Sequence, residues 1–240
     1  MATTTRTVAL EIAITGVQGA RAALDGGADR VELCSGLEVG GLTPSLGLVD
    51  AVVATGIDVH VLVRPRPGGF VFTATEVEVM VRDLEHLVDA GVAGVVIGAL
   101  TPDGGLDRHA VKSLVRAAEG RDVTFHRALD VVADRPRALG ELADLGVRRV
   151  LTSGGTARAV DGLAVLADLA RAAFGRIEVM AGGRVDPEHI PLLLESGVDA
   201  VHLSARVPRE DAGASGPGGG PAAYSVADPV MIAHAAAALT

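Results

Sequence analysis

Gly27-Ala28-Asp29-Arg30-Val31 returns three times along the chain, as Gly91-Val92-Ala93-Gly94-Val95, Gly146-Val147-Arg148-Arg149-Val150 and Gly197-Val198-Asp199-Ala200-Val201. Each copy separates a segment of helical apolar spacing from a run of strand-forming residues. Glycine suits the end of a helix because a left-handed backbone costs it little, and a small apolar residue then leads into the strand. The motif is the joint of a repeated βα module.

Working outward from these joints, apolar strand-like runs are predicted to start near Val8, Val31, Val59, Gly94, Val123, Arg149, Ile177 and Ala200. Successive starts lie 23 to 35 residues apart, the length that a strand, a covering helix and two short loops consume. Between them, Val77, Met80, Val81, Leu84, Leu87 and Val88 form one apolar stripe of helical period, and Val111, Leu114, Val115 and Ala118 repeat it. The runs themselves are nearly continuous in Val, Leu and Ile, as parallel strands covered on both faces should be. Eight such modules predict an α/β fold of the (β/α)8 TIM-barrel type; an open doubly wound sheet is the alternative, but it usually has fewer strands. The 240 residues match the roughly 250 typical of that barrel, so residues 1–240 read as one domain.

Composition narrows the function classes. Residues are 49% hydrophobic and 2% aromatic, with 31 glycines, which describes an aliphatic core of helices packed closely on a sheet. A net charge of −9 with arginines scattered singly offers no basic footprint for nucleic acid or for an anionic membrane. Cys34 is the only cysteine, which excludes a disulfide framework and a four-thiolate metal site within one chain. The opening MATTTRT has no apolar core behind it that resembles a signal peptide, and no run approaches the roughly 18 apolar residues of a membrane span. A cytoplasmic location is therefore expected. The segment 208–221, which includes GASGPGGGP, cannot bury apolar surface and is expected to be a mobile loop after the eighth strand, either a linker or a substrate lid. A last helix should begin at Asp228-Pro229.

Ionisable side chains in covered strands are costly unless they are paired or open onto the barrel mouth. Here they occur in or just after six strands: Glu11, Glu32, His60 with Arg64, His126 with Arg127, Glu178, and His202. The two-residue period of a strand groups Glu32 with Cys34, His60 with Leu62 and Arg64, Thr124 with His126, and His202 with Ser204. One consistent reading points Glu32, Arg64, His126 and His202 inward and upward. Glu11 and Arg64 are either a buried ion pair that fixes strand order or part of the same set. Arg127 reaches either a ligand or Asp130, His60 reads as structural, and Glu178 reads as an ion-pair residue at the rim or bottom. The candidate catalytic residues are thus Glu11, Glu32, Arg64, His126, Arg127 and His202. Carboxylate and imidazole groups suit proton abstraction beside a carbonyl, with arginine holding the anion. Oxygen and imidazole donors also suit a divalent cation.

Thr152-Ser153-Gly154-Gly155 follows the sixth strand, Ala181-Gly182-Gly183-Arg184 the seventh, and Ser204-Ala205-Arg206 the eighth. Backbone amides in such loops can face a phosphate or carboxylate, making Ser153, Gly154, Gly182, Gly183 and Ser204 candidate anion-binding residues. Tight βα turns need glycine in any case. Lys112, the only lysine, falls on the fourth helix outside the barrel, which argues against Schiff-base chemistry. HExxH, CxxC and a first-strand HxH are all missing, and with them the usual marks of a zinc hydrolase.

The segments Ala28-Asp29-Arg30-Val31-Glu32-Leu33-Cys34-Ser35, Gly40-Gly41-Leu42-Thr43-Pro44-Ser45, Arg64-Pro65-Arg66 and Thr124-Phe125-His126-Arg127-Ala128 resemble the CutC family, named for copper homeostasis. Asp130, Val150-Leu151-Thr152-Ser153-Gly154, Met180-Ala181-Gly182-Gly183 and His202-Leu203-Ser204-Ala205 continue the resemblance in order to Ala205. It implies a cytoplasmic TIM barrel, often a homodimer, that serves copper trafficking or tolerance with copper as the bound ion. The family's copper proposal uses two cysteines near the mouth, one matching Cys34 and the other falling at Ala13, where this chain has no thiol. Cu(I) prefers at least two soft ligands. Cys34 as a metal ligand would therefore need Met180, a histidine or another subunit; otherwise it is an inert apolar residue. The family's Arg-Pro-Arg-Gly-Gly-Asp-Phe reads Arg64-Pro65-Arg66-Pro67-Gly68-Gly69-Phe70 here, and its Arg-Asn element after Ala205 is missing. Two expectations follow. One is a copper-homeostasis protein binding Cu(I) at Cys34. The other is a barrel enzyme of isomerase or lyase type, doing acid–base chemistry on a small anionic or phosphorylated substrate.

Overall fold

Eight parallel strands close on themselves in sequence order in the computed structural model, which describes residues 8–211, 213, 216 and 223–240. The strands are β1 (Ala9–Ile14), β2 (Arg30–Leu33), β3 (Asp58–Leu62), β4 (Gly94–Ile97), β5 (Asp122–Phe125), β6 (Arg149–Thr152), β7 (Glu178–Gly182) and β8 (Ala200–Leu203). Each begins within one residue of its predicted start. The covering helices are α1 (Val17–Asp25), α2 (Leu46–Val53), α3 (Ala74–Asp89), α4 (Arg108–Ala117), α5 (Arg135–Asp144), α6 (Leu163–Ala173), α7 (Ile190–Glu195) and, at the end of the chain, α8 (Pro229–Ala237). None of the described helices is long and apolar enough to cross a membrane.

The repeated joint behaves as its sequence requires. Gly27, Gly91, Gly146 and Gly197 all have positive φ, between +77° and +87°, the region in which a side chain is disfavoured. In the two copies with aspartate at the third position, the carboxylate holds the foot of a neighbouring strand. Asp29 Oδ2 accepts the Leu10 amide at 2.7 Å, and Asp199 Oδ2 accepts that of Val179 at 2.8 Å.

Most of the apolar core lies between the strands and the helices, where Leu10, Ile12, Val31, Leu33, Val61 and Phe125 are fully buried. The other face of each strand fills the barrel, and there the residues are unusually polar. Arg30 Nη2 on β2 donates to Met180 Sδ on β7 at 3.3 Å, a contact between non-adjacent strands that runs through the interior. Arg149 and Glu178 pair at 2.7 Å at the amino-terminal end of β6 and β7, which places Glu178 at the bottom of the barrel.

After β8 the chain forms an antiparallel pair, β9 (Arg206–Glu210) with β10 (Ala223–Ala227). The expected loop at 208–221 therefore needs correction at its start, because residues 208–210 belong to β9. Alternation of Val207 with Arg206 and Pro208, paired to Val226 between Ser225 and Ala227, carries that ladder. Most of the glycine-rich remainder lies outside the described residues. Asp228 caps α8 through the Val230 amide, with Pro229 in its first turn, as predicted.

Candidate functional site

Period two along β1, β2 and β8 brings a line of charged groups together inside the barrel. Glu11 faces Arg30 on one neighbour and His202 on the other. Arg30 Nε donates to Glu11 Oε2 at 2.6 Å, and His202 Nδ1 lies 2.8 Å from Glu11 Oε1. The far ring nitrogen, His202 Nε2, stands 3.5 Å from Glu32 Oε2. The result is a relay of guanidinium, carboxylate, imidazole and carboxylate. Glu11 side-chain exposure is 1%, whereas Glu32 keeps 9% and His202 12%, so only the upper end of the relay is accessible.

Glu11 was expected either to pair with Arg64 or to join the mouth cluster; it pairs with Arg30. The register places Arg30 opposite Glu11, while Arg64 follows the end of β3. There Arg64 clamps loops, with Nη1 donating to the Val39 and Gly41 carbonyls and Nη2 to that of Gly68.

Electrostatics separates the two carboxylates. Burial alone would raise Glu11, but the His202 hydrogen bond and the Arg30 charge outweigh it and hold the group well below the usual carboxylate range. Glu32 is pushed up to about 7, chiefly by burial and further by Glu11, with His202 opposing. His202 is raised: burial opposes, and the Glu11 hydrogen bond with the charges of Glu32 and Glu11 prevails. This arrangement favours the cationic form of the imidazole, beside a carboxyl group near the midpoint of its titration at neutral pH.

Above this end lies a cavity of about 760 Å³. Ala13, two residues beyond Glu11, and Ser204, two beyond His202, lie on its wall, and Thr15, Gln18, Arg206 and Arg209 supply polar groups. Glu38 is its acidic exception. The volume falls within the roughly 300–1,000 Å³ of small-ligand pockets.

The remaining candidates lie elsewhere. His126 follows β5, is 6% exposed, and accepts the Ala128 amide on Nδ1 at 3.1 Å. Arg127 takes the second of its two expected roles: its Nε donates to Asp130 Oδ2 at 2.7 Å and its Nη2 to Ser153 Oγ at 2.9 Å. The glycine loop after β6 wraps the same carboxylate. Asp130 accepts the amides of Ser153 and Gly155 and the hydroxyl of Thr152. The anion that the Ser153-Gly154 loop surrounds is thus the chain's own Asp130. Gly182 lies under His202, where a Cβ would meet Leu151 Cδ1 at 2.5 Å and His202 Cβ at 3.1 Å; Gly183 similarly lies against Arg127 and Ser153. Of the candidate anion-binding residues, Ser204 lines the cavity.

Sequence reading missed Arg30, although period two places it on the face of Glu32 and Cys34. It also missed Gly94 and Gly98, four residues apart on and just after β4. An added Cβ would sit 2.7 Å from His60 Nε2 at Gly94, and 2.2 Å from His126 Cε1 at Gly98. Each glycine makes room for a histidine ring from the adjoining strand.

Cys34 is fully buried beside Leu62, Val96 and the partly buried Leu37. Burial, reinforced by Glu32, raises its thiol and keeps it protonated. Among the described residues, no group of three or more His, Cys, Asp or Glu is arranged to hold a metal ion.

The sequence and fold have clear relatives. The CutC family model matches residues 8–207. A CutC family protein of Xanthomonas campestris pv. campestris is 50% identical over 202 residues, covering 83% of this chain and 84% of that protein. One of Agrobacterium fabrum is 45% identical over 196 residues, covering 81% and 78%. Among solved structures, a CutC of Streptococcus agalactiae, named for copper homeostasis, superposes with a TM-score of 0.79 at 30% identity, over 82% of this chain and 98% of that one. The family-model match and these relatives, each across most of the chain, place the protein in the CutC family.

Proposed function

We propose that the protein is an enzyme that moves a proton to or from a small anionic substrate, with Glu32 as the acid–base group. The observation that carries this reading is the relay, in which Glu32 is the end carboxylate, keeps 9% of its side chain exposed and has a single, long contact to His202. A general base works best when its pKa lies near the working pH, and burial beside His202 supplies that condition. Arg30 and Glu11 fix the imidazole; His202 then stabilises the Glu32 carboxylate whenever it gives up its proton. Arg206 and Arg209, on the cavity wall, favour a negatively charged substrate. Isomerase or lyase chemistry beside a carbonyl fits these parts.

A screen of small keto and hydroxy acids and sugar phosphates in deuterated water tests the reading, with exchange at carbon followed by NMR. Wild type should introduce deuterium into at least one compound. Glu32→Gln should slow that exchange by roughly 10²–10⁴-fold, the usual contribution of a general acid or base, with unchanged circular dichroism. A ¹³C titration of the Glu32 carboxyl that falls near 4.5 rather than about 7 would overturn the reading without any substrate.

The finer copper reading, Cu(I) at Cys34, does not fit the residues present. Ala13 supplies no second thiol, and apolar side chains surround Cys34. The Met180 sulfur accepts from the Arg30 guanidinium, whose charge would repel a metal cation at that site.

A further inference from the structure

On the β3–β5 side of the mouth, His126 and Arg64 each keep one N–H group without an acceptor among the described residues. Nδ1 of His126 accepts the Ala128 amide, so in the neutral ring the proton resides on Nε2. That Nε2 is buried and has no partner. Burial, followed by the Arg64 charge, lowers the group to about 3, so His126 is a neutral donor at physiological pH and not a base. Arg64 repeats the pattern: its Nη atoms hold three carbonyls, while Nε is buried without a partner.

The surroundings preserve this arrangement. His126 lies against Gly98, where any Cβ would collide with the ring. Phe70 packs against both side chains, with its ring centroid 4.7 Å from that of His126 and 5.3 Å from Arg64 Cζ. Phe70 is itself partly exposed and follows the exposed pair Gly68 and Gly69. An unpaired buried donor is destabilising, and two of them on side chains packed against one aromatic ring leave polar capacity that none of the described residues uses.

We infer that His126 Nε2–H and Arg64 Nε–H form an oxyanion-binding subsite that takes a carboxylate oxygen when the Phe70 side chain moves aside. The subsite is separate from the Glu32 relay and does not depend on it. No bond is made or broken there; the two donors orient the ligand.

NMR on the full ¹⁵N-labelled chain, with acetate as the probe, tests this directly. The His126 Nε2–H and Arg64 Nε–H signals should both be present in the free protein and shift together, saturably, as acetate is added. Phe70→Leu should tighten binding severalfold by thinning the cover. His126→Phe, which keeps the aromatic contact, should abolish saturation at the Arg64 signal. Should His126→Phe fail to fold, the Phe70→Leu comparison still decides. Signals that stay fixed or move only linearly in both wild type and Phe70→Leu overturn the subsite, as does a ring protonated on Nδ1 in place of Nε2. Glu32→Gln should leave the acetate response unchanged, so failure of the relay and failure of the subsite give different results.

Discussion

At the β5–β6 side of the barrel mouth, Asp130 receives hydrogen bonds from Arg127, Thr152, Ser153 and Gly155. At the β1–β2–β8 side, Glu32 has one imidazole at 3.5 Å. Both side chains are about equally buried, at 9% exposure. The first carboxylate is satisfied by the scaffold and ties the loops after β5 and β6 together. The second is left with proton affinity near neutral pH. Burial therefore does not distinguish structural from chemical carboxylates in this barrel; the number and quality of donors does.

Removing Asp130 should produce the largest effect. Asp130→Ala removes the acceptor of Arg127 Nε, the Thr152 hydroxyl and the Ser153 amide together, and should cost about 4 kcal/mol in urea unfolding. A loss below about 1 kcal/mol would break the contrast with Glu32.

The pH dependence of Glu32 comes next, and its sign is opposite to that of an ion-paired carboxylate. Its folded value lies above the ordinary 4.5, so the folded state holds the proton longer than the unfolded chain does. Stability is lost as pH rises from about 4.5 to about 7 and changes little through this group above that. Glu32→Gln removes the penalty, so the variant should gain relative to wild type across that window, by up to about 3 kcal/mol. A stability difference that is flat between those limits would remove Glu32 from its special position. His202, raised above 6.5, contributes stability fully below 6.5 and loses it as pH rises through its folded value.

Glycine substitutions sharpen the contrast on the His126 side. Gly98→Ala forces a shift against the imidazole ring and should lower stability by roughly 2 kcal/mol. Gly47→Ala on α2, where a Cβ meets nothing within 4 Å, should be neutral or slightly stabilising. Equal melting temperatures for the two variants would show that the ring has room to move.

The smallest effect is expected at Cys34. Cys34→Ser and wild type should compete equally against a Cu(I) chelator. Weaker competition by the variant would shift the chemistry of the β1–β2–β8 sector from proton transfer toward metal binding.

Local pattern and chain spacing determined the barrel. The Gly27, Gly91, Gly146 and Gly197 joints, the eight apolar runs and the helical stripes each act over a few residues, and parallel strands buried on both faces leave a strong signal in the sequence. The inward polar residues Glu11, Glu32 and His202 were visible for the same reason, because charge in a covered strand stands out. Partnership was decided by the tertiary structure alone. Which residue faces Glu11 depends on register and barrel closure, which select Arg30 and His202 over Arg64. Whether the Ser153-Gly154 loop meets an external anion or Asp130 depends on a turn 22 to 25 residues away in the chain. The roles of Glu32 and Asp130 separate through through-space donors and desolvation, which act between distant chain segments and so leave no local periodicity to read.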